Sequence, residues 1–566
     1  ISSVVAGTGL SGGGTSGAVT LNVEAAQSGV TSLGTLTALT VNGNVSIDGG
    51  TVKLDGNYPT GTNNVALGNT ALDSLTSGNE NTAIGAVALT ANTSGCYNVA
   101  VGDNALAANT TGNDNTTIGM RSLLNNTTGI NNTGVGRNAL RENTTAAKNT
   151  AVGSSSLACN TTGTRNTAVG FCSLTTNTTG DDNTAFGNDS LRSNTEGANN
   201  VAVGKNALVS NTTGDENTAV GCNALGANTT ANNNTAIGAF SLDTNTEGHS
   251  NVAVGRSALT ANTTADNNTA VGFSALSSNT TGADNAAFGR RALNSNTTAA
   301  QNVAIGTCAL YTTTTGANNT SVGNYSSKLN TTGASNVAIG YAALCTNTTG
   351  AENVAVGKDS LKASTTASSN TAVGCAALFG ATTGGANTAM GIYAGYRVTT
   401  GSSNALFGYN AGANITTGIS NHVLGSSAGT DAVFNVTSEN NRIVVGNNNA
   451  TNAYIKIDWT VTSDLRDKTN FGNVPHGLDF VNKLEPVSFQ FKKSRENDTP
   501  HGNVKYGFKA QDILALEGED NVIINNENTD NLKMTNSHLI PVLVNAIQEL
   551  KAENDSLKTR IEALES

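Results

Sequence analysis

The sequence predicts an all-β protein: a parallel β-solenoid (β-roll) shaft of seventeen-residue repeats, followed by a small α/β domain that ends in a coiled coil. Three observations support this fold class. A glycine recurs at every seventeenth position from Gly68 to Gly425, the intervening residues are mainly Asn, Thr, Gly and Ala, and the composition changes near residue 463. Because 425 − 68 = 357 = 21 × 17, the repeats form 22 consecutive units without an insertion.

Residues 1–60 precede the repeat and are predicted to form an N-terminal β module. Gly7, Gly9 and Gly12 match the GxGxxG pattern of dinucleotide-binding sites. That pattern binds a dinucleotide only between a strand and a helix, and nothing nearby is typical of a helix. We therefore predict no cofactor for this module.

The repeat itself, over residues 61–430, predicts a shaft of stacked coils. A unit of this length is too short for a helix pair, and Asn, Thr and Gly are poor helix formers, whereas short strands between turns suit this composition. At the spacing of neighbouring strands, 21 steps make a shaft about 100 Å long.

An asparagine lies four residues before the glycine in all 22 units, and the first four are Asn64, Asn81, Asn98 and Asn115. A stacked asparagine can pair its amide with the coils above and below, as asparagine ladders do. We therefore assign these asparagines a structural role.

The strand before each glycine suggests an oligomer. The residue directly before the glycine is large and apolar, whereas the residue two before it is small in 20 of 22 units, the exceptions being Leu406 and Val423. Alternation places these two positions on opposite faces of the strand. A face of small residues allows another backbone to approach closely, so we predict that this face lines the axis of a homotrimer. A monomeric solenoid with a narrow wall is the alternative.

Charge and composition exclude several classes of function. The chain has 29 Lys+Arg against 40 Asp+Glu, a net charge of −11, and no basic cluster, which argues against nucleic-acid binding. No apolar run approaches the roughly 18–20 residues of a membrane span, so no membrane insertion is predicted. The seven cysteines and five histidines lack metal-ligand spacing, so we predict free thiols and no metal site.

The composition of the last 104 residues differs from that of the shaft. Residues 463–566 contain 29 charged residues, against 40 in the preceding 462, and four of the five prolines. Residues 431–462, which hold the single tryptophan Trp459, are predicted to be a β connector.

The final segment, 539–566, carries a heptad pattern typical of a coiled coil. Its a positions are Ile540, Ile547, Asn554 and Ile561, and its d positions are Leu543, Leu550, Leu557 and Leu564. An amphipathic helix packed on its own domain is the alternative. Ile at a with Leu at d favours dimers, so the heptad alone does not define the oligomer.

Four motifs in this segment occur in the order found in a known family. Ser463 to Lys468 (SDLRDK) resembles Ser-Asp-x-Arg-x-Lys, and Leu484 to Phe489 resembles Leu-x-Pro-Val-x-Phe. Gly507 to Asp512 resembles Gly-Phe-x-Ala-Gln-Glu with Asp in place of Glu, and His538 to Leu550 resembles the start of a C-terminal helix. Together they resemble the intramolecular chaperone auto-processing domain of endosialidases and of phage tail spikes and fibres. The shaft units more loosely resemble the β-roll heads of trimeric autotransporter adhesins, and Gly7 to Val23 resembles a segment common in phage fibres.

The resemblance implies that the C-terminal domain trimerises, directs folding of the shaft and cuts itself off before the motif serine. It implies Ser463 as nucleophile, Lys468 as base, and the bond between Thr462 and Ser463 as the cleaved bond. A lysine serves as base only where burial lowers its pKa from the usual ~10.4. Self-cleavage as a serine peptidase is therefore the most that we predict for this domain as enzymatic activity. The alternative is that both residues are ordinary surface groups of a structural trimerisation domain.

These observations predict a homotrimeric viral tail fibre for host adhesion, made in the host cytoplasm and located in the virion tail. Its expected partners are its own copies, other virion tail proteins, and a host cell-surface receptor such as a glycan or an outer-membrane component. One alternative is a bacterial surface trimeric adhesin, which would require a signal peptide and a C-terminal membrane barrel. A less favoured alternative is a polysaccharide-degrading tail spike, which would need paired carboxylates at a fixed site.

Overall fold

The computed structural model describes three short strands near the N-terminus and then residues 61–431, 435–450, 454, 456, 463–519, 521–526, 529–530 and 532–566. Trp459 and Thr462 of the predicted connector lie outside the described residues, as does most of the predicted N-terminal module. The chain divides into two units, Ile1–Gly56 and Asn57–Ser566, which are described separately.

The first unit contains a three-stranded antiparallel sheet. Its strands are β1 (Val4–Val5), β2 (Leu10–Gly14) and β3 (Leu21–Val23), in that order. Strand β2 pairs with both neighbours, so that Val4 lies opposite Gly14 and Leu10 lies opposite Val23.

The shaft is one parallel sheet of 23 short strands, β4 to β26, stacked in chain order. The strands are Val65–Leu67, Thr82–Ile84, Val99–Val101, Thr116–Ile118, Thr133–Val135, Thr150–Val152, Thr167–Val169, Thr184–Phe186, Val201–Val203, Thr218–Val220, Thr235–Ile237, Val252–Val254, Thr269–Val271, Ala286–Phe288, Val303–Ile305, Thr320–Val322, Val337–Ile339, Val354–Val356, Thr371–Val373, Thr388–Met390, Ala405–Phe407, His422–Leu424 and Ile443–Val445. Among the first 22, each strand pairs in register with the strand one repeat away, as Ala168 does with Ala185. The predicted parallel β-solenoid of seventeen-residue repeats is confirmed.

The last strand of the sheet departs from the period. Strand β26 (Ile443–Val445) pairs with β25 (His422–Leu424) at a longer spacing than one repeat, so that Ile443 lies opposite His422. Four additional residues separate these two strands. The ladder therefore includes a strand inside the segment 431–462 that the sequence assigned to the connector.

Each coil turns through the same left-handed backbone positions. In the unit of Gly102, φ is 61° at Tyr97, 56° at Asn104 and 50° at Leu106. Gly102 itself has a φ of 136°, and a Cβ built there would lie 2.7 Å from the carbonyl carbon of Gly119 in the next coil. Only glycine satisfies both the backbone conformation and the close stacking, which explains its strict recurrence.

The small strand residues face into the coil and form its core with the leucines. In one coil Ala100, Ala105 and Leu106 are all fully buried, and the same positions are buried along the shaft. The residues directly before the glycines face outward, and Phe186 among them is 53 % exposed. The alternation was predicted correctly, but the assignment of the small-residue face to a trimer axis was wrong. The interior of the coil is narrow, so a small residue such as alanine fits beneath the leucine of the turn.

The core is rearranged in the last coils, where glycine replaces the leucine of the turn. Leu406 is fully buried at a strand position that is small elsewhere, and a Cβ on Gly395 or Gly412 would lie 2.7 or 2.8 Å from its methyl groups. Leu406 thus occupies the volume that turn leucines fill in other coils. The exceptions at Leu406 and Val423, which is likewise buried, preserve the interior volume.

The C-terminal domain combines two short helices and one long helix with two β-hairpins. Its elements are 3-10 turns at Leu465–Asp467 and Asn536–His538, helices α1 (Leu478–Val481), α2 (Ala510–Glu517) and α3 (Leu539–Glu565), and strands β27 (Val487–Ser494), β28 (Asn497–Gly507), β29 (Ile524–Asn525) and β30 (Lys533–Met534). Its core is formed by Phe480, Ile513, Ile523, Ile524, Leu539 and Val542. None of the helices among the described residues is long and apolar enough to span a lipid bilayer.

Candidate functional site

A single 3-10 turn positions the two residues of the predicted processing site. The carboxylate of Asp464 accepts the backbone N–H of Arg466 at 2.8 Å and caps the turn Leu465–Asp467. The turn reverses the chain, so that Lys468 Nζ lies 2.6 Å from Ser463 Oγ. The two side chains that the motif singled out are therefore in direct contact.

Two of the charged side chains beside this pair form an ion pair with each other. Arg466 Nη2 lies 2.6 Å from Asp464 Oδ2, and hydrogen bonding within this ion pair lowers the pKa of Asp464 and raises the pKa of Arg466. Asp467, the residue directly before Lys468, carries a further negative charge, so the turn holds two acidic side chains and one basic side chain besides Lys468.

Ser463 and Lys468 are both solvent exposed, and Thr462 lies outside the described residues. The lysine donates to the serine in this arrangement, whereas a general base must accept the serine proton. A lysine amine acquires basic function near neutral pH when burial disfavours its charged form. The single chain supplies the contact between the two groups but not the burial.

The asparagines before the repeat glycines form a continuous buried ladder. Asn81 Oδ1 accepts the backbone N–H of Asn98 at 3.0 Å and its side-chain amide at 3.1 Å. The Nδ2 of Asn98 also donates to the carbonyl of Gly112, and Asn115 repeats this arrangement on Asn98. The same positions from Asn64 to Asn421 are at most 5 % exposed. Each asparagine therefore binds the coils on both sides of it.

A second asparagine ladder, which was not predicted from the sequence, runs parallel to the first. Asn109 Nδ2 donates to Asn92 Oδ1 at 2.8 Å and to the carbonyl of Gly112 at 2.9 Å. In the sequence, this ladder corresponds to the first residue of each Asn-Thr-Thr-Gly turn. The ladder position is occupied by residues other than asparagine at Leu75, Thr313, Ser364, Ala381, Val398 and Ile415.

A stripe of large apolar side chains runs along the outer face of the sheet. We define this apolar stripe as the residues directly before the repeat glycines. Thirteen of them are between 36 % and 54 % exposed: Leu67, Ile84, Ile118, Val152, Phe186, Val203, Ile237, Phe288, Ile305, Ile339, Met390, Phe407 and Leu424. Because the strands stack about 4.8 Å apart, these side chains form a contiguous surface. Apolar surfaces of such extent mark interaction sites.

Charge is segregated to the two sides of the apolar stripe. The two positions that precede each ladder asparagine carry nine acids (Glu80, Asp114, Asp181, Asp182, Asp215, Glu216, Asp266, Asp284 and Glu352) and two bases (Lys148 and Arg165). The two positions that follow each repeat glycine carry seven bases (Arg121, Arg137, Lys205, Arg256, Arg290, Arg291 and Lys358) and three acids (Asp103, Asp189 and Asp359). The strand face thus has an acidic edge where strands begin and a basic edge where they end.

The C-terminal helix presents different faces to its own domain and to solvent. Leu539, Val542 and Ala546 of α3 are buried. Asn545 and Glu549 form hydrogen bonds to the chain around the start of α1, where Glu549 Oε2 accepts the N–H of Leu478 at 2.6 Å. The heptad positions Ile540, Leu543, Ile547, Leu550, Leu557, Ile561 and Leu564 are between 42 % and 86 % exposed, and Asn554 is exposed as well. The heptad stripe is therefore not the face that packs on the domain core.

Residues 463–523 match the family model described as chaperone of endosialidase, a peptidase S74 family. The match includes the first three motifs and the Ser463–Lys468 pair but none of the shaft. No curated protein and no solved structure gives a significant match to the chain. Among the described residues, no group of three or more His, Cys, Asp or Glu side chains is placed to hold a metal ion, and the seven cysteines are free thiols.

Proposed function

We propose that this chain is a tail-fibre or tail-spike protein of a bacteriophage, whose C-terminal domain folds and aligns three copies of an adhesive shaft. One observation carries the proposal: a β-solenoid of 22 nearly identical coils and a chaperone-of-endosialidase segment occur in the same chain. The proposed partners are two further copies, other tail proteins and a surface receptor of the host cell. The proposed location is the virion tail.

The repeat explains why such a shaft needs a chaperone. If one copy slides past its neighbours by one repeat, contacts are lost only at the ends, so misaligned assemblies are almost as stable as the aligned one. Weakly specified register and slow non-local strand assembly both promote aggregation. A domain that joins the three C-termini before the shaft assembles removes this ambiguity.

The apolar stripe is the surface that we assign to contact between copies. When shafts pack in parallel around a common axis, the strand-start edge of each copy meets the strand-end edge of the next. The acidic edge, with Asp284, then faces a basic edge, with Arg290 and Arg291. Antiparallel packing would place like charges together, which is unfavourable. The charges thus favour the parallel arrangement that a shared C-terminal domain would impose.

The heptad face of α3 is proposed to continue this contact as a coiled coil. Its apolar side chains are exposed, whereas its other face already packs on the domain core. Asn554 at an a position would help to select one register, because a buried polar pair there is satisfied only by its counterpart.

Self-cleavage before Ser463 is proposed as the last step of assembly. Ser463 Oγ would attack the carbonyl carbon of Thr462 while Lys468, unprotonated, takes the hydroxyl proton. The C–N bond then breaks, the proton passes to the released amine of Ser463, and water hydrolyses the resulting ester. Because Lys468 is exposed in the single chain, we expect neighbouring copies to bury it and so couple cleavage to assembly.

Expression of residues 1–566 and of residues 1–462 tests this function, with light scattering after size-exclusion chromatography as the measurement. We expect the full chain to form one uniform species that contains three shaft segments and adsorbs to bacterial cells. We expect the truncated chain to be insoluble or to form a mixture of masses. A monomeric full chain, or uniform soluble trimers without residues 463–566, would contradict the proposal.

A further inference from the structure

Four aromatic rings cluster on neighbouring coils near the C-terminal end of the shaft. Phe379 and Tyr396 stack with ring centroids 5.1 Å apart and an interplanar angle of 19°. Tyr393 meets Tyr396 edge to face at 5.5 Å and meets Tyr409 at 6.5 Å. We refer to these four residues as the aromatic cluster.

The aromatic cluster lies on the outside of the coils rather than in their core. Its residues occupy the first, second and fifth positions after the repeat glycines, which hold polar, charged or small residues in most other coils. Tyr393 and Tyr409 are 41 % and 54 % exposed, whereas the interior beside them is filled by Leu378 and Leu406. The rings are therefore not needed to fill the solenoid.

The distribution of tyrosine along the shaft is uneven. Six of the seven tyrosines in residues 61–430 lie between Tyr311 and Tyr409. A second pair of rings, Tyr325 and Tyr341, is in edge-to-face contact at 6.0 Å within the same stretch. Tyrosine is concentrated in binding surfaces because its ring provides contact area at a low entropic cost and its hydroxyl forms hydrogen bonds.

Few charged residues lie near the aromatic cluster. Residues 360–430 contain no Asp or Glu, whereas Lys362 and Arg397 are present. Lys362 Nζ lies 5.7 Å from the centroid of Phe379 and forms an ion pair with Asp359. Arg397 directly follows Tyr396 and is exposed. Asp359 offsets the charge of Lys362, so the positive charge beside the rings comes from Arg397.

We propose that the aromatic cluster binds an anionic glycan, with a pyranose ring against Tyr393 and Tyr409 and a carboxylate or phosphate group near Arg397. The C–H face of a sugar ring is apolar and slightly positive, which suits the negative face of an aromatic ring. A guanidinium donates paired hydrogen bonds to carboxylate or phosphate. This inference rests on the proposed adhesive function and specifies the chemical class of its receptor.

The test uses the assembled full-length protein on immobilised glycans that carry hexuronate, sialate or sugar phosphate, with neutral glycans beside them. Tyr409→Ala is expected to weaken binding to the retained acidic glycan about tenfold or more, as loss of a central aromatic contact does. Arg397→Gln is expected to weaken it as well and to reduce its dependence on salt. Carboxyl reduction or dephosphorylation of the same glycan should have a similar effect to Arg397→Gln.

Phe171→Ala is the matched control, because Phe171 occupies the same repeat position as Tyr409 and is 58 % exposed. Among the described residues, no other aromatic ring is in contact with the ring of Phe171. If no acidic glycan is retained by the assembled protein, or if Phe171→Ala and Tyr409→Ala weaken binding equally, the inference is wrong. A lower assembly mass for Tyr409→Ala would identify the cluster as a contact between copies, which would also overturn it.

Adsorption to bacterial cells separates this inference from the proposed function. If wild type and Tyr409→Ala adsorb equally well, the glycan site is refuted while the fibre remains adhesive. If assembled wild type adsorbs to none of a broad set of bacterial strains, the adhesive function itself fails.

Discussion

Lys468 Nζ donates a hydrogen bond to Ser463 Oγ at 2.6 Å, and both side chains are open to solvent. The contact is produced by a short stretch of chain and one 3-10 turn, so it forms without any other part of the protein. Catalysis by such a pair additionally requires that the amine lose its proton, which exposure to water disfavours. The contact between Lys468 and Ser463 and the activation of the lysine are therefore separate requirements, and assembly with neighbouring copies can control the activation.

Cleavage before Ser463 is predicted to require both side chains. In the full chain, Ser463→Ala and Lys468→Gln should remain at the mass of the uncut protein, whereas wild type should yield fragments that end at Thr462 and begin at Ser463. Lys483→Gln removes an exposed lysine of the same domain and should leave cleavage unchanged. Intact-mass spectrometry of the purified proteins distinguishes these outcomes, and a cut Ser463→Ala protein would show that another group is the nucleophile.

Disruption of the apolar stripe is predicted to abolish assembly and, through it, cleavage. Phe186→Asp combined with Ile237→Asp places two carboxylates in the proposed contact between copies, where each unpaired charge would cost several kcal/mol. Light scattering should show monomers or aggregates, and mass spectrometry should show the uncut chain. Val209→Asp adds a charge next to the buried Leu208, at a position outside the apolar stripe, and should leave trimer mass and cleavage as in wild type. Trimers of normal stability from the double variant would place the contact elsewhere.

The sequence was sufficient for the repeat and the strand positions, because residues one repeat apart in the chain are neighbours in space. The sequence was not sufficient to predict which face of each strand points into the coil. Alternation separates Ala185 from Phe186 but does not say which side is inside, which the structure shows by burying Ala185 with the leucines of the turns. The exposure of Lys468 could not be predicted from the sequence either, because a motif specifies the spacing of its residues and not which surfaces cover them.

Loss of one ladder asparagine is predicted to open the shaft locally. Asn217→Ala removes the acceptor for the backbone N–H of Asn234 and the donor to the carbonyl of Ala231. Buried groups left without partners should lower the local free energy of opening by about 2–3 kcal/mol. Hydrogen exchange at the amide of Asn234 reports this directly and should accelerate. Asn69→Ala, at an exposed position, is the control, and equal exchange in both variants would refute an energetic role for the ladder.

The rearranged core near the end of the shaft predicts strong coupling between Leu406 and Gly412. Leu406→Ala alone should leave a cavity that costs about 2–5 kcal/mol. Gly412→Leu alone should also destabilise, because its Cβ would lie 2.8 Å from Leu406 Cδ2 and 2.9 Å from Ile415 Cδ1. The double variant restores the alanine and leucine of the other coils, with leucine in the left-handed conformation that it adopts at Leu378.

This double variant should therefore be destabilised by about 1–3 kcal/mol less than the sum of the two single changes. Hydrogen exchange across residues 395–425 measures the local stability of each variant. Leu276→Ala combined with Gly412→Leu provides a control pair from distant coils, for which the two effects should add. Additive effects for Leu406 and Gly412 as well would mean that the two positions do not share one interior volume.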